Sequence, residues 1–307
     1  MAEGHMYQAA PAAPPGRTYR VRSLADAEEI RALLRERPAY AAYALGQLEP
    51  HLAPRARWWL ASGATGRALL LHASGGLGQA LFAMGDPDAL DAILRLHPGP
   101  PHTYATCEPR HVAVLRRYFR LAQEQPMLRM SVTPDRLRTP ELHADAETPQ
   151  VRRLTGADAR WINRLYSSDG APTYYSPAHI NEGVYYGASV AGRLVSVAGT
   201  HVVSPEQGVA VVGNVFTHPR YRGRGYAQVT TGAVTRHLLR TCPLVVLSVD
   251  PANTPAVRAY QRLGYVEDCR LIEAAATRRE LLGAASLTRR LLARLRGWHE
   301  HLEVVRL

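Results

Sequence analysis

The chain has 307 residues, a length that suggests about two domains, and its 46% hydrophobic content supports ordinary cores. No apolar run approaches the roughly 20 residues of a membrane span. The net charge is +11, carried by arginine without a single lysine; the arginines are spread over both halves, which argues against a nucleic-acid adaptor, and three scattered cysteines (Cys107, Cys242, Cys269) suit a reducing, cytoplasmic setting.

Residues 1–16, rich in Ala, Pro and Gly, read as a disordered lead. A strand is expected over 18–21 and helices over 25–34 and 39–48. Strands follow over 58–62 and 68–72, joined by the turn 63–66, and over 79–84. Asp86 before Pro87 is a helix N-cap, with the helix running to Leu96. A strand over 102–107, a helix over 110–118 and a strand over 127–132 complete the first half, 17–133. Residues 134–150, with Pro134, Pro140 and Pro149, read as an interdomain linker.

The second half, 151–276, begins with a strand over 151–154 and a helix over 156–166. A loop from Ser167 to Pro177 precedes two strands, 184–190 and 194–203. A fourth strand, 209–217, ends at Pro219. The turn Arg222-Gly223-Arg224-Gly225 then feeds a helix that starts at Tyr226. A glycine turn at a helix N-terminus aims several backbone N–H groups and the positive end of the helix dipole at one spot, which suits a pyrophosphate. Arg222 and Arg224 add charge. A strand over 244–249 follows, then a helix from Asn253 to Leu263 and a strand over 265–274.

Arg222-Gly223-Arg224-Gly225-Tyr226-Ala227 resembles the Arg/Gln-x-x-Gly-x-Gly/Ala signature of the GNAT acyltransferase superfamily. Val215-Phe216-Thr217-His218-Pro219 stands where that family has the strand leading into its signature. Asn253, Tyr260 and Leu263-Gly264-Tyr265 resemble its downstream segment. The wording of residues 213–219 and 222–227 is most similar to the glycine-N-acyltransferase-like branch. The fold implied is a mixed α/β sheet. Because both halves share one order of elements, the chain is expected to be a tandem GNAT-like pair. The first copy is degenerate: its turn Gly85-Asp86-Pro87-Asp88 is acidic and would repel a pyrophosphate.

The resemblance implies acyl-coenzyme A, acetyl-CoA first, as co-substrate, with no metal. Val215, Phe216 and Thr217 would pair with pantetheine. Arg222, Gly223, Arg224, Gly225, Tyr226, Ala227 and Gln228 would hold the pyrophosphate, and Asn253 the pantetheine side. Tyr260 matches the family's acid, which protonates the leaving thiolate. Its alternative is a ring packed on the sheet. A glutamate that many members carry as base falls at Ser248 here, so His218, His201, Asp250, Glu182 or a water chain remain open candidates, the two histidines each with a structural alternative. Tyr174, Tyr175 and Tyr185, with Tyr186, form an aromatic set for the acceptor, although adjacent strand positions face opposite ways.

From Arg278 onward, Leu281, Leu282, Leu287, Leu291, Leu292, Leu295 and Trp298 among arginines describe an amphipathic helical tail (277–307). It is expected to dock on the protein or on a second subunit in a homodimer, not on a membrane. His299-Glu300-His301 lacks zinc spacing. The expected activity is N-acyl transfer to an amine of a small molecule or amino acid, with no nucleic-acid partner. The alternative is a non-catalytic coenzyme-A-binding sensor.

Overall fold

The structure is a computed structural model and describes residues 17–75, 78–170, 174–280, 284–296 and 303–307. The expected lead 1–16, Pro172, Leu281, Leu282, Trp298 and His299-Glu300-His301 lie outside those residues, as does the side chain of Leu295.

The first half runs β1 (Thr18–Leu24), α1 (Ala27–Leu34), α2 (Ala42–Gly46), β2 (Ala56–Gly63), β3 (Gly66–Gly75), β4 (Gly78–Gly85), α3 (Pro87–Leu96), β5 (His102–Cys107), α4 (Val112–Tyr118) and β6 (Phe119–Val132). The second repeats that order: β7 (Gln150–Leu154), α5 (Ala159–Tyr166), α6 (Pro177–Glu182), β8 (Tyr185–Val190), β9 (Arg193–Ser204), β10 (Val209–Thr217), α7 (Tyr226–Leu238), β11 (Leu244–Val249), α8 (Thr254–Arg262) and β12 (Val266–Arg278). The chain closes with α9 (Ala284–Arg296) and β13 (Glu303–Arg306). The mixed α/β class and the tandem order are both present.

All thirteen of these strands form one sheet in the order β13-β1-β2-β3-β4-β5-β12-β6-β11-β10-β9-β8-β7. The halves therefore exchange their last strands. β6 pairs with β11 of the second half, and β12 pairs with β5 of the first. β6 and β12 lie antiparallel at the centre, from Val266↔Ser131 to Arg278↔Phe119. Pro126 sits in β6 beyond the end of β11, so its missing N–H leaves no bond unmade on that side.

The exchange follows from burial. Leu128, Met130 and Val132 of β6 pack with Val234, Leu238 and Tyr265 of the second half. Ala276 of β12 is buried with Leu90, Ile93 and Phe119 of the first. On the opposite face, Leu34 of α1, Leu45 of α2 and Tyr40 between them enter a core shared with Val209, Val211 and Val246.

Several local expectations change. The linker is not a free tether: Arg138 N donates to Leu263 O (3.0 Å), and Tyr226 Oη to Glu147 O (2.9 Å). Leu142 and Ala146 pack against the buried Tyr226. The expected loop ends at Pro177, where helix α6 begins in a stretch given no element from sequence; its N-cap Ser176 accepts from His179 N at 3.2 Å. The tail is not helix alone, because β13 pairs with β1. Ser286 and Ala293 of α9 are buried, whereas Leu287, Leu291 and Leu292 are exposed. Among the described residues no helix is long and apolar enough to cross a membrane.

Candidate functional site

β10 and β11 run parallel in register only from Val209↔Leu244 to Val212↔Leu247. Beyond that point β10 stays with β9, while Ser248 and Val249 of β11 stay with β6. The two strands thus part and leave backbone groups facing a gap. A bulge in β10 sharpens the divergence: from Gly213 to Phe216 it advances three residues against two on β9. Asn214 holds the bulge at φ +52°, a left-handed conformation that Asn tolerates better than most side chains. Its carbonyl accepts from Tyr166 Oη (2.6 Å) and its amide donates to Tyr185 Oη (2.9 Å).

The chain next turns through Pro219–Tyr221 to Gly223 and Gly225, at φ +79° and +89°, and enters α7. No side chain caps α7. The corresponding helix of the first half differs: the Asp86 carboxylate accepts from Ala89 N at 2.9 Å and fills the start of α3. The first free N–H groups of α7 open onto a cleft of about 390 Å³. Its walls carry Val215, Thr217, Gly223, Gln228, Asn253 and Tyr260, and none of its lining residues is acidic. Arg222, Gly225, Tyr226 and Ala227 line it too, so the structure gathers most of the sequence-expected cofactor residues in one place. His143 of the linker, Arg258 and Arg262 complete a basic rim that sequence reading missed. The i, i+4 spacing of Arg258 and Arg262 on the helix after Asn253 could have pointed to these two; only the linker's docking brings in His143.

Individual roles shift on inspection. Arg222 is not a free phosphate ligand: it pairs with Asp169 (2.5 Å) and donates Nε–H to Thr217 O (3.1 Å), tying the turn to the strand end. Arg224 stacks over Tyr221 at 5.6 Å. At Gly225 the linker, not a ligand, takes the space a Cβ would need, since that atom would lie 2.6 Å from Glu141 O. Gly223 is open, with nothing within 4 Å of a Cβ. Phe216 turns its ring to the opposite face, stacked on Tyr166 at 4.7 Å. Asn253 caps α8 by accepting from Ala256 N (3.3 Å). Tyr260 is buried on the cleft wall, and burial pushes its phenol up to about 12.

The four base candidates separate. His218 accepts from Arg220 N at 3.2 Å; desolvation and then Arg193, Arg220 and Arg222 keep its imidazole below its ordinary pKa. Asp250 caps the turn through Ala252 N (2.8 Å), and Glu182 is exposed on α6. His201 lies over the gap: a Cβ on Gly213 would be 2.0 Å from its Nε2. Protein surrounds the ring on most sides and pushes its pKa down to about 4, while one side stays open to solvent, as in a residue lining a recess. The aromatic set divides too. Tyr175 and the buried Tyr185 surround His179, with Tyr185 Oη 3.1 Å from its Nε2. Tyr174 is 100% exposed and stands apart from this cluster. Tyr186 faces α7, with Oη 3.3 Å from His237 Nδ1.

Residues 150–265 match the acetyltransferase (GNAT) family. No curated protein matches the chain by sequence. Among solved structures, a Drosophila protein shares 14% identity with a TM-score of 0.55, over 83% of this chain and 98% of its own. A tandem GNAT protein from the clavulanic acid biosynthesis pathway shares 15% identity over 85% of this chain and 98% of its own (TM-score 0.49). A GCN5-related N-acetyltransferase from Kribbella flavida shares 18% over 68% and 86% (TM-score 0.49). At these identities the likeness is one of fold.

Proposed function

We propose that this chain, which carries a GNAT acetyltransferase domain over residues 150–265, moves a short acyl group, acetyl first, from acyl-coenzyme A to the amine of a small molecule or amino acid. The observation that carries the reading is the uncapped N-terminus of α7, opening on an acid-free cleft beside the β10–β11 gap. Motif wording alone places it nearest the glycine-N-acyltransferase-like branch.

On this reading the N–H groups of residues 223–228 bind the pyrophosphate. The freed backbone of Val215, Phe216 and Thr217 pairs with pantetheine as an added strand would. The amine lone pair attacks the thioester carbon; a C–N bond forms and the C–S bond breaks. Backbone N–H groups at the β10 bulge face the developing oxyanion. Tyr260, protonated at neutral pH, donates to the leaving sulfur, and the burial that raises its pKa also disfavours a bare thiolate there. We assign His201 to take the proton that the amine sheds. It is neutral above about pH 4, so it accepts from the nitrogen as the C–N bond makes that nitrogen acidic, and the acceptor enters as the free amine.

Thiol release from acetyl-CoA with a panel of amines tests the activity. Release with at least one amine is expected, and Tyr260→Phe should lower kcat by about a hundredfold while leaving coenzyme A affinity little changed. Binding without release by any amine would refute the transferase. Unchanged kcat under rate-limiting chemistry would remove Tyr260 as the acid.

A further inference from the structure

A second polar cluster lies on the sheet face opposite the cleft. Because Leu128, Met130 and Val132 enter the core under α7 and α8, Arg129 of β6 points to the other face. Its register partners Ser248 on β11 and Cys269 on β12 share that face. His201 reaches over Gly213 from β9. Tyr43 of α2 closes the top, its ring 5.9 Å from that of His201 and 5.1 Å from the guanidinium carbon of Arg129.

Arg129 is 0% exposed, and among the described residues none of its three side-chain nitrogens makes a hydrogen bond of normal geometry; the Tyr43 hydroxyl is the polar group nearest in reach, and it carries no charge to balance the guanidinium. The neighbouring Ser248 Oγ makes no hydrogen bond among them either. Withdrawing a guanidinium from water without a counter-charge costs more than a cation–π contact returns. Two adjacent donors left unsatisfied on one face describe half of a binding site. The open side is that of Tyr43, half-buried, and His201, exposed on one edge.

We propose that Arg129 is the floor of a carboxylate subsite. The fork of the guanidinium takes both carboxylate oxygens, Ser248 donates its hydroxyl to one of them, and the ring of Tyr43 swings aside to admit the ligand. The placement beside the β10–β11 gap rests on the acyl-transfer reading, and it makes the ligand's amine the group nearest the thioester. A carboxylate could arrive on the acceptor or at the far end of a dicarboxylic acyl chain. The cluster lies on the face away from the cofactor cleft, which favours the acceptor. Arg129 and Tyr43 both precede the linker, so the first half supplies the specificity of a reaction whose cofactor site lies in the second.

The test compares probes that differ only in the carboxylate. Thermal unfolding of the full chain is followed with glycine against glycinamide and with phenylalanine against phenylalaninamide. Thiol release is measured with the same pairs, and with acetyl-CoA against succinyl-CoA. An acid should raise Tm where its amide does not, and should turn over with a KM about tenfold or more below that of the amide. Arg129→Met should erase that difference, leave coenzyme A binding intact, and leave Tm of the bare chain unchanged or higher, because an unpaired buried charge has gone. Arg129→Lys, which keeps charge without the fork, should raise KM for the acid with kcat retained. A preference for succinyl-CoA that Arg129→Met erases would assign the same subsite to the acyl end. Acids and amides acting alike with both donors would overturn the proposal. So would an acid preference that survives Arg129→Met, or a large loss of stability in that variant, which would reveal an internal partner. If no amine releases thiol, the transferase reading falls, and the acid-dependent change in Tm still decides the subsite.

Discussion

Gly223 and Gly225 look equivalent in the motif, yet they do different work. Gly225 is required because the linker carbonyl of Glu141 crowds it, so any side chain there disturbs packing before it touches a ligand. Gly223 has the same left-handed backbone but faces open space, and Asp is among the residues that tolerate that conformation. Gly223→Asp therefore places a negative charge at the mouth of α7 with limited structural cost. Calorimetry should find coenzyme A binding weakened by about tenfold or more, with Tm little changed. An unchanged dissociation constant would move the pyrophosphate elsewhere. Arg222 carries the related lesson that a motif arginine also holds its own turn, through Asp169 and Thr217.

The exchange of β6 and β12 decides how far the halves can act alone. Without residues 1–149, β11 loses its partner from Val245↔Val132 to Val249↔Leu128, and β12 loses partners on both sides. The apolar side chains of Leu128, Met130 and Val132 also leave the core beneath α7 and α8. Unpaired central strands are costly and invite aggregation. The segment 150–307 expressed alone should not give a soluble monomer with cooperative unfolding, and size-exclusion with thermal melting checks this. A well-folded, coenzyme-A-binding fragment would show that the exchange is dispensable.

Across the whole molecule, buried histidines set the response to acid. His72 is buried, its Nδ1 has no partner among the described residues, and desolvation pushes its pKa down to about 4, the same value as His201. In the unfolded chain both titrate near the ordinary 6.5. The unfolded state therefore binds more protons as pH falls through 6.5, so stability is full above that pH and declines towards pH 4. For His72 alone the loss is roughly 3 kcal/mol at the acid end. Urea midpoints should fall steadily between pH 6.5 and 4, and His72→Gln should flatten that slope. Equal slopes in both proteins would exclude His72 as the source. The tail contributes in the same sense, because a carboxylate held below its ordinary pKa loses its stabilisation as pH falls. Burial alone would raise the pKa of Glu303, but His97 and Arg294 hold it below the usual carboxylate value, anchoring β13 at neutral pH.

Local order was legible in the sequence. The run 209–217, the Asp86 cap, the uncapped glycine turn before Tyr226 and the Asn253 cap all follow from period, turn chemistry and capping, which act over a few residues. The chain by itself thus determined two copies of one α/β order and the place of the phosphate turn. Only the tertiary structure decided that β6 and β12 change partners, that β13 returns to β1, and that the linker docks against Gly225. It alone showed that Arg129, a charged residue within the strand 127–132, lies sealed beneath Tyr43. These outcomes depend on contacts between residues tens to hundreds of positions apart, and alternation along a strand fixes which side chains share a face without saying what will cover that face.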